Sequence, residues 1–288
     1  MSKKTVFVTG ATGKQGGAVA RKLIARGHKV RALTRRVDAP AAQTLASLGA
    51  EVVAGNLTDR ASIDRALKGV DAVFTMSTPF EAGMDAETTQ GVTVADAAKA
   101  ADVHLVYTSV GNANCATGIP HFESKWRVEQ HITKIGATAT VLAPVYFMEN
   151  VVAFTLQQLR EGIYATPLKP TTKLAQVALA DIGSFAVLAI ENRDRFVGKR
   201  VDLVSDDLTG AQATEILSRA TGKKLTYFQV PMENIRAMSA DFATMYEWFE
   251  RVGYKIDPAA LRREYPDVGW HTYESWAKEQ DWAAILRP

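Results

Sequence analysis

Apolar and polar positions along the first half of the chain switch back and forth between two periods. Short apolar runs have the length of buried strands. They are Val6-Phe7-Val8, Val30-Arg31-Ala32-Leu33-Thr34, Ala50-Glu51-Val52-Val53-Ala54, Ala72-Val73-Phe74-Thr75-Met76, His104-Leu105-Val106-Tyr107-Thr108-Ser109 and Thr138-Ala139-Thr140-Val141-Leu142-Ala143. Between them the spacing is helical. Ala18, Val19, Leu23 and Ile24 form one apolar face, and further helices are predicted over 41–48, closed by Gly49, and over 60–67, ended by Gly69. An Ala-rich helix follows over 86–101, and another over 124–135 carries Trp126, Val128 and Ile132 among charges. Thr58 or Asp59 supplies the cap of the helix that starts at Arg60. Strand alternating with helix predicts parallel strands joined by right-handed crossovers. That is a Rossmann-type, doubly wound α/β sheet, with ligands beyond the carboxyl ends of the strands.

The alternation stops after Pro144. Residues 145–160 are apolar and predict a helix, as do 181–191; Arg200-Val201-Asp202-Leu203-Val204 predicts a short strand. Thr209 caps a helix to Thr221, and Leu225-Thr226-Tyr227-Phe228-Gln229-Val230 predicts a strand ended by Pro231. Four of the five Trp residues (Trp248, Trp270, Trp276, Trp282) crowd the C-terminal end and predict aromatic anchors there. The expected organisation is a dinucleotide-binding domain over 1–150, with later segments returning to it. A smaller, mostly helical α/β domain over 151–288 would take a substrate or a partner. No fixed-period repeat or low-complexity tract interrupts this plan.

Composition changes the picture little. With 288 residues the chain can bury a sizeable core. Lys plus Arg is 34 against 31 for Asp plus Glu, and no basic run is long enough for a nucleic-acid arm, so no direct nucleic-acid binding is argued. The single Cys115 cannot form an intramolecular disulfide, and the first strand begins too close to Met1 for a secretory signal. No apolar run approaches the roughly 20 residues that span a bilayer. A cytoplasmic protein with no membrane association is expected, its oligomeric state open and no metal site read.

Chemistry concentrates where the first strand ends, at Gly10-Ala11-Thr12-Gly13-Lys14-Gln15-Gly16. The spacing Gly10-x-x-Gly13-x-x-Gly16 is that of a dinucleotide-binding turn, offset by one residue from the common G-x-G-x-x-G. Gly10 lets the chain turn sharply, Gly13 lets backbone amides approach a pyrophosphate, and Gly16 lets the helix pack close on the sheet. The helix N-terminus then stabilises the diphosphate. At the end of the second strand, where an acid would bond the ribose hydroxyls of NAD, stand Arg35-Arg36; the nearest acid is Asp38. Two guanidinium groups favour a 2′-phosphate, and therefore NADP(H) over NAD(H). Asn56-Leu57 after the third strand would bracket adenine. Thr78-Pro79-Phe80 after the fourth would floor the middle of the cofactor, unless Phe80 is core. His121 and Lys125 stand four apart and share a helix face.

Together with Pro144-Val145-Tyr146-Phe147-Met148-Glu149-Asn150, these segments resemble the NmrA-like family over nearly the whole chain. That family comprises atypical short-chain dehydrogenases/reductases, among them fungal nitrogen-repression regulators, the human NADPH sensor HSCARG, and quinone or dye reductases. The resemblance implies that Lys125 contacts the nicotinamide ribose, that Tyr146, Phe147 and Met148 lie by the nicotinamide, and that Arg35 meets the 2′-phosphate. In short-chain dehydrogenases the place of His121 is taken by a Tyr that donates a proton to a carbonyl. With His there, two functions stay open. One is an NADPH-dependent reductase of a small quinone or carbonyl substrate, with His121 as proton donor beside Lys125. The other is a non-catalytic, HSCARG-like redox sensor whose NADP(H) occupancy regulates a protein partner.

Overall fold

The strands and helices of the first half, in a computed structural model that describes residues 2–287, alternate strictly. They are β1 (Thr5–Val8), α1 (Lys14–Ala25), β2 (Lys29–Thr34), α2 (Pro40–Ser47), β3 (Glu51–Ala54), α3 (Arg60–Ala66), β4 (Ala72–Thr75), α4 (Met84–Ala100), β5 (His104–Thr108), α5 (Pro120–Lys134) and β6 (Ala139–Pro144). The chain continues through β7 (Tyr146–Phe147), α6 (Asn150–Arg160), β8 (Ile163–Thr166), β9 (Lys173–Val177), α7 (Leu179–Glu191), α8 (Arg193–Phe196) and β10 (Arg200–Leu203). It ends with β11 (Asp206–Thr209), α9 (Gly210–Thr221), β12 (Thr226–Gln229), α10 (Met232–Met238), α11 (Ala240–Arg251), α12 (Pro258–Glu264), α13 (Tyr273–Glu279) and α14 (Trp282–Ile285).

These elements sort into two compact units. The first takes the chain up to Ala116, residues 120–143 and residues 182–202; the second takes 117–119, 144–181 and the chain from Leu203 onward. Residues 144–150, which the sequence pattern groups with the first domain, therefore fall in the second unit.

In the first unit one sheet runs β10-β6-β5-β4-β1-β2-β3. β1 pairs in parallel with β2 and β4, β2 with β3, β4 with β5, and β5 with β6. β4 and β5 are buried along their whole length, as continuous apolar runs are when helices cover both faces. Phe7, Ile63, Val73, Val94, Leu105, Tyr107 and Val128 form the core on one face. From β1 the chain moves outward to β2 and β3, then returns to β4 on the opposite side of β1. That reversal opens a crevice at the carboxyl ends of β1 and β4, the place where such sheets bind ligands.

Several local expectations resolve here. Asp59, rather than Thr58, caps α3, its carboxylate accepting from the Ala61 amide at 3.1 Å. α5 starts at Pro120, whose fixed φ suits a first helical position, so His121 lies in its first turn. Residues 145–149 do not extend the expected helix. Tyr146–Phe147 pairs in parallel with β9, and the Val145 amide donates to the Leu203 carbonyl at 3.1 Å, so these backbone groups belong to strand pairing and α6 begins only at Asn150.

The second unit holds a sheet of order β11-β9-β7, with β11 antiparallel to β9, and a parallel pair β12-β8. Of these, β8, β9 and β11 are not among the strands the sequence pattern predicts; polar residues interrupt the apolar pattern in β9 and β11. Tyr273, Trp276 and Trp282 join Met148, Leu159 and Leu217 in its core, as the crowding of Trp predicts.

Candidate functional site

A cavity of about 790 Å³ opens in the first unit at the carboxyl ends of β1 to β4. The β1–α1 turn contributes Thr9, Gly10, Thr12, Gly13, Lys14, Gln15 and Gly16 to its wall. The segments after β2 and β3 add Arg35, Arg36, Asn56 and Leu57, and the segment after β4 adds Met76, Ser77, Thr78 and Glu81. Strand topology thus gathers most of the residues singled out for cofactor binding around one space.

The turn is shaped by its glycines. Gly10 has φ +62°, and a Cβ there would stand 2.6 Å from Met76 Sδ. A Cβ at Gly16 would stand 2.4 Å from the Gly10 carbonyl oxygen and 2.6 Å from that of Thr9, so α1 meets the end of β1 backbone to backbone. Gly13 caps α1 without a side-chain hydrogen bond, and the first helical bond runs from Gly17 N–H to the Gly13 carbonyl at 3.1 Å. The amides of Lys14, Gln15 and Gly16 precede that bond, and no acidic side chain stands in the first turn to take them. Gln15 Nε2 is buried with no hydrogen-bond partner among the described residues. Thr9 locks the ends of β1 and β4 together, its hydroxyl lying 3.0 Å from Thr75 Oγ1 and accepting from the Met76 amide at 3.0 Å. A rigid turn with open amides and an unused buried donor fits the diphosphate of a dinucleotide.

At the adenosine end, Arg35 is already engaged. Its Nη1 lies 2.7 Å from Glu81 Oε2, and its Nη2 donates to Glu81 Oε1 at 3.0 Å. The acid nearest in sequence, Asp38, is not the one that meets it. Asn56 Oδ1 accepts from the Thr58 amide at 3.1 Å, which fixes the turn after β3. Pro79 is buried, and neither Pro79 nor Phe80 lines the cavity. Phe80 is 68% exposed, which excludes the core alternative, and its ring lies 6.3 Å from that of His121.

His121 and Lys125 share α5 but do not line the cavity wall themselves. Lys125 Nζ donates to the Ser77 carbonyl at 3.1 Å, and Ser77 does line it. The same ammonium lies 2.8 Å from Glu87 Oε1, a fully buried carboxylate on α4 that also accepts from Ser124 Oγ. Close helix packing makes this contact possible. A Cβ at Gly91 would come within 2.7 Å of Val128 Cγ2, so α4 and α5 approach closely one turn from Glu87 and Lys125. Further along α5, Glu129 accepts from Ser109 Oγ and from Arg200 Nε at 2.9 Å, which ties the helix to β10. Burial pushes the Glu129 carboxyl above its ordinary range even beside that guanidinium. His121 is buried, its ring 4.9 Å from Phe122 and nearly perpendicular to it.

Tyr146 and Phe147 belong to the second unit. There the Tyr146 hydroxyl lies 3.1 Å from that of Tyr246, and burial holds its phenol well above the ordinary range. Sequence reasoning missed Thr9, Met76, Glu81 and Glu87. A glycine inside the Ala-rich α4 was the one signal for Glu87, since Gly in a helix interior marks a close approach; Glu81 carried none.

The chain matches the NmrA-like family over residues 2–277. It belongs to that family. It is 31% identical over 233 residues to the (4-alkanoyl-5-oxo-2,5-dihydrofuran-3-yl)methyl phosphate reductase of Streptomyces griseus, covering 80% of this chain and 79% of that protein. It is 27% identical over 251 residues to the nitrogen metabolite repression protein of Emericella nidulans, covering 81% and 70%. Among solved structures, the NADPH-dependent quinone oxidoreductase QOR2 of Escherichia coli, complexed with NADPH, matches with a TM-score of 0.78 at 24% identity over 94% of this chain and 98% of that one. That likeness establishes the fold. Among the described residues no helix is long and apolar enough to cross a membrane.

Proposed function

We propose that this NmrA-like protein binds NADP(H) in the cavity of the first unit and reduces a small quinone or carbonyl compound in the cytoplasm. The support is a single juxtaposition: the glycine turn, the open amides of α1 and the Arg35-Arg36 pair all line one cavity of about 790 Å³. The α1 amides take the diphosphate, Asn56 and Leu57 flank the adenine, and Arg35 and Arg36 take the 2′-phosphate. Lys125, oriented by buried Glu87, holds the nicotinamide ribose through an ammonium whose position is set by the Ser77 carbonyl. Bound NADPH would supply a hydride to the electrophilic carbon of the acceptor. His121, on the same helix as Lys125 and four residues before it, supplies the proton. The reductase of Streptomyces griseus and the quinone oxidoreductase of Escherichia coli favour this chemistry by kinship and by fold.

The second function, an NADP(H) sensor acting on a protein partner, is favoured by His121 standing in place of a catalytic Tyr and by kinship to a nitrogen metabolite repression protein. NADPH oxidation across a panel of quinones and aldehydes separates the two. In a reductase, His121→Ala lowers kcat by about 10²- to 10⁴-fold with NADPH affinity little changed, whereas Lys125→Ala weakens NADPH binding as well. Intact NADPH binding with no oxidation above background for any acceptor would reverse the assignment to the sensor.

A further inference from the structure

We infer that Glu81 sets how strongly the cavity prefers a 2′-phosphorylated dinucleotide, by contesting the guanidinium of Arg35. This role rests on the dinucleotide assignment above. Arg35 and Glu81 stand 46 residues apart, yet both line the cavity and meet through two N–H···O contacts of 2.7 and 3.0 Å. Their side chains are 67% and 57% exposed. An ion pair that open to solvent is weak and separates at little cost. A 2′-phosphate, more highly charged than a carboxylate and matched to the same planar fork, displaces Glu81 from Arg35. Arg36, on the same segment, has no carboxylate partner among the described residues and is available at once.

Displacement does not remove Glu81. Its loop is short and closed on itself, with the Gly83 amide donating to the Pro79 carbonyl at 2.8 Å, and Ser77 and Thr78 at its start line the same cavity. The carboxylate therefore stays within range of the phosphate and repels it, while towards the free 2′-hydroxyl of NAD(H) it is an acceptor. Its net effect is to narrow the preference for NADP(H) that Arg35-Arg36 alone would confer.

Calorimetric titrations of NADPH and NADH into wild type, Glu81→Gln, Arg35→Ala and the double variant test this. Glu81→Gln is expected to raise NADPH affinity by about 1.5-fold to fivefold, the range a weak surface ion pair spans, and to leave NADH affinity unchanged or lower it by up to about threefold. In the Arg35→Ala background the part of the NADPH gain that comes from releasing that guanidinium disappears, and only the smaller part due to direct repulsion of the phosphate remains. An unchanged NADPH-to-NADH ratio in Glu81→Gln, with both cofactors bound, overturns the role of Glu81 and leaves the dinucleotide site standing. Failure of wild type to bind either cofactor overturns both. Glu81 is exposed, so its replacement leaves the fold intact, which circular dichroism verifies.

Discussion

In the first unit the candidate chemistry is laid out by main chain. Gly10, Gly13 and Gly16 line a space at the ends of parallel strands, and a Cβ on Gly16 would strike the carbonyl oxygens of Gly10 and Thr9. The second unit is held by side chains that meet over long separations. Asp181, almost fully buried, accepts from His271 Nδ1 at 2.5 Å, from the His271 amide at 3.0 Å and from Ser205 Oγ at 2.5 Å, and Arg262 donates to the His271 carbonyl at 2.8 Å. Glu149 likewise accepts from the Leu179 amide and from Trp276 Nε1, each at 3.1 Å, the latter 127 residues away. A backbone site is encoded in contiguous residues, whereas a network of buried charges exists only once distant segments have met.

The sharpest way to break this contrast is Gly16→Val. The branched side chain must displace backbone carbonyls, so NADPH affinity falls by about a hundredfold or more and overpacking costs about 1–3 kcal/mol of stability. Gly13→Val separates the two effects, because its Cβ meets the Gly10 oxygen only at 3.3 Å; binding is lost while Tm stays close to wild type. Calorimetry with thermal melts reads both, and retained binding in either variant would show that the turn is not the phosphate site.

In the second unit the matching test is Asp181→Ala. It takes the acceptor from His271 Nδ1 and from the Ser205 hydroxyl, and the loss of one member of a buried pair costs about 3–5 kcal/mol. Urea denaturation measures it, and a cost under about 1 kcal/mol would mean that this network does not hold the unit together.

pH should pull on the two units in opposite directions. Burial, aided by Arg193 and Lys4, lowers the His104 imidazole from 6.5 to about 4, and its Nε2 lies 2.9 Å from Thr140 Oγ1. The native state then binds fewer protons than the unfolded chain, so this contribution is present above pH 6.5 and is lost as pH falls towards 4. His271 is raised from 6.5 to about 9 by its hydrogen bond to Asp181, against the effect of burial. Its contribution is complete below pH 6.5 and is lost as pH rises through 9. Replacing His104 by Gln should flatten the acid limb of stability against pH, and His271→Gln the alkaline limb. Unchanged limbs in both variants would remove titration from the comparison.

The smallest effect is expected where the second unit does use a local device. Thr209 caps α9 in a capping box with Gln212, its hydroxyl accepting from the Gln212 amide at 3.2 Å. Thr209→Ala should cost about 1 kcal/mol in urea denaturation. A much larger loss would mean that this cap also serves a distant partner.

What the sequence determined by itself is local. The glycine spacing, the alternation of buried runs with helical faces, and the cap at Thr209 each depend on a residue's own sterics or on neighbours within one helical turn, so they could be read in order along the chain. Even the choice between Thr58 and Asp59, or the start of α5 at Pro120, was a matter of a few positions. Tertiary structure decided the rest. It drew Tyr146-Phe147 out of an apparent helix by offering them β9 as a partner, and it turned Phe80 towards solvent. It also set Glu87 against Lys125, Glu81 against Arg35 and Asp181 against His271. Strand pairing and ion pairing depend on the group that stands opposite, and burial decides what each charge costs. Both are properties of two distant segments brought together, so neither can be read from the pattern of one.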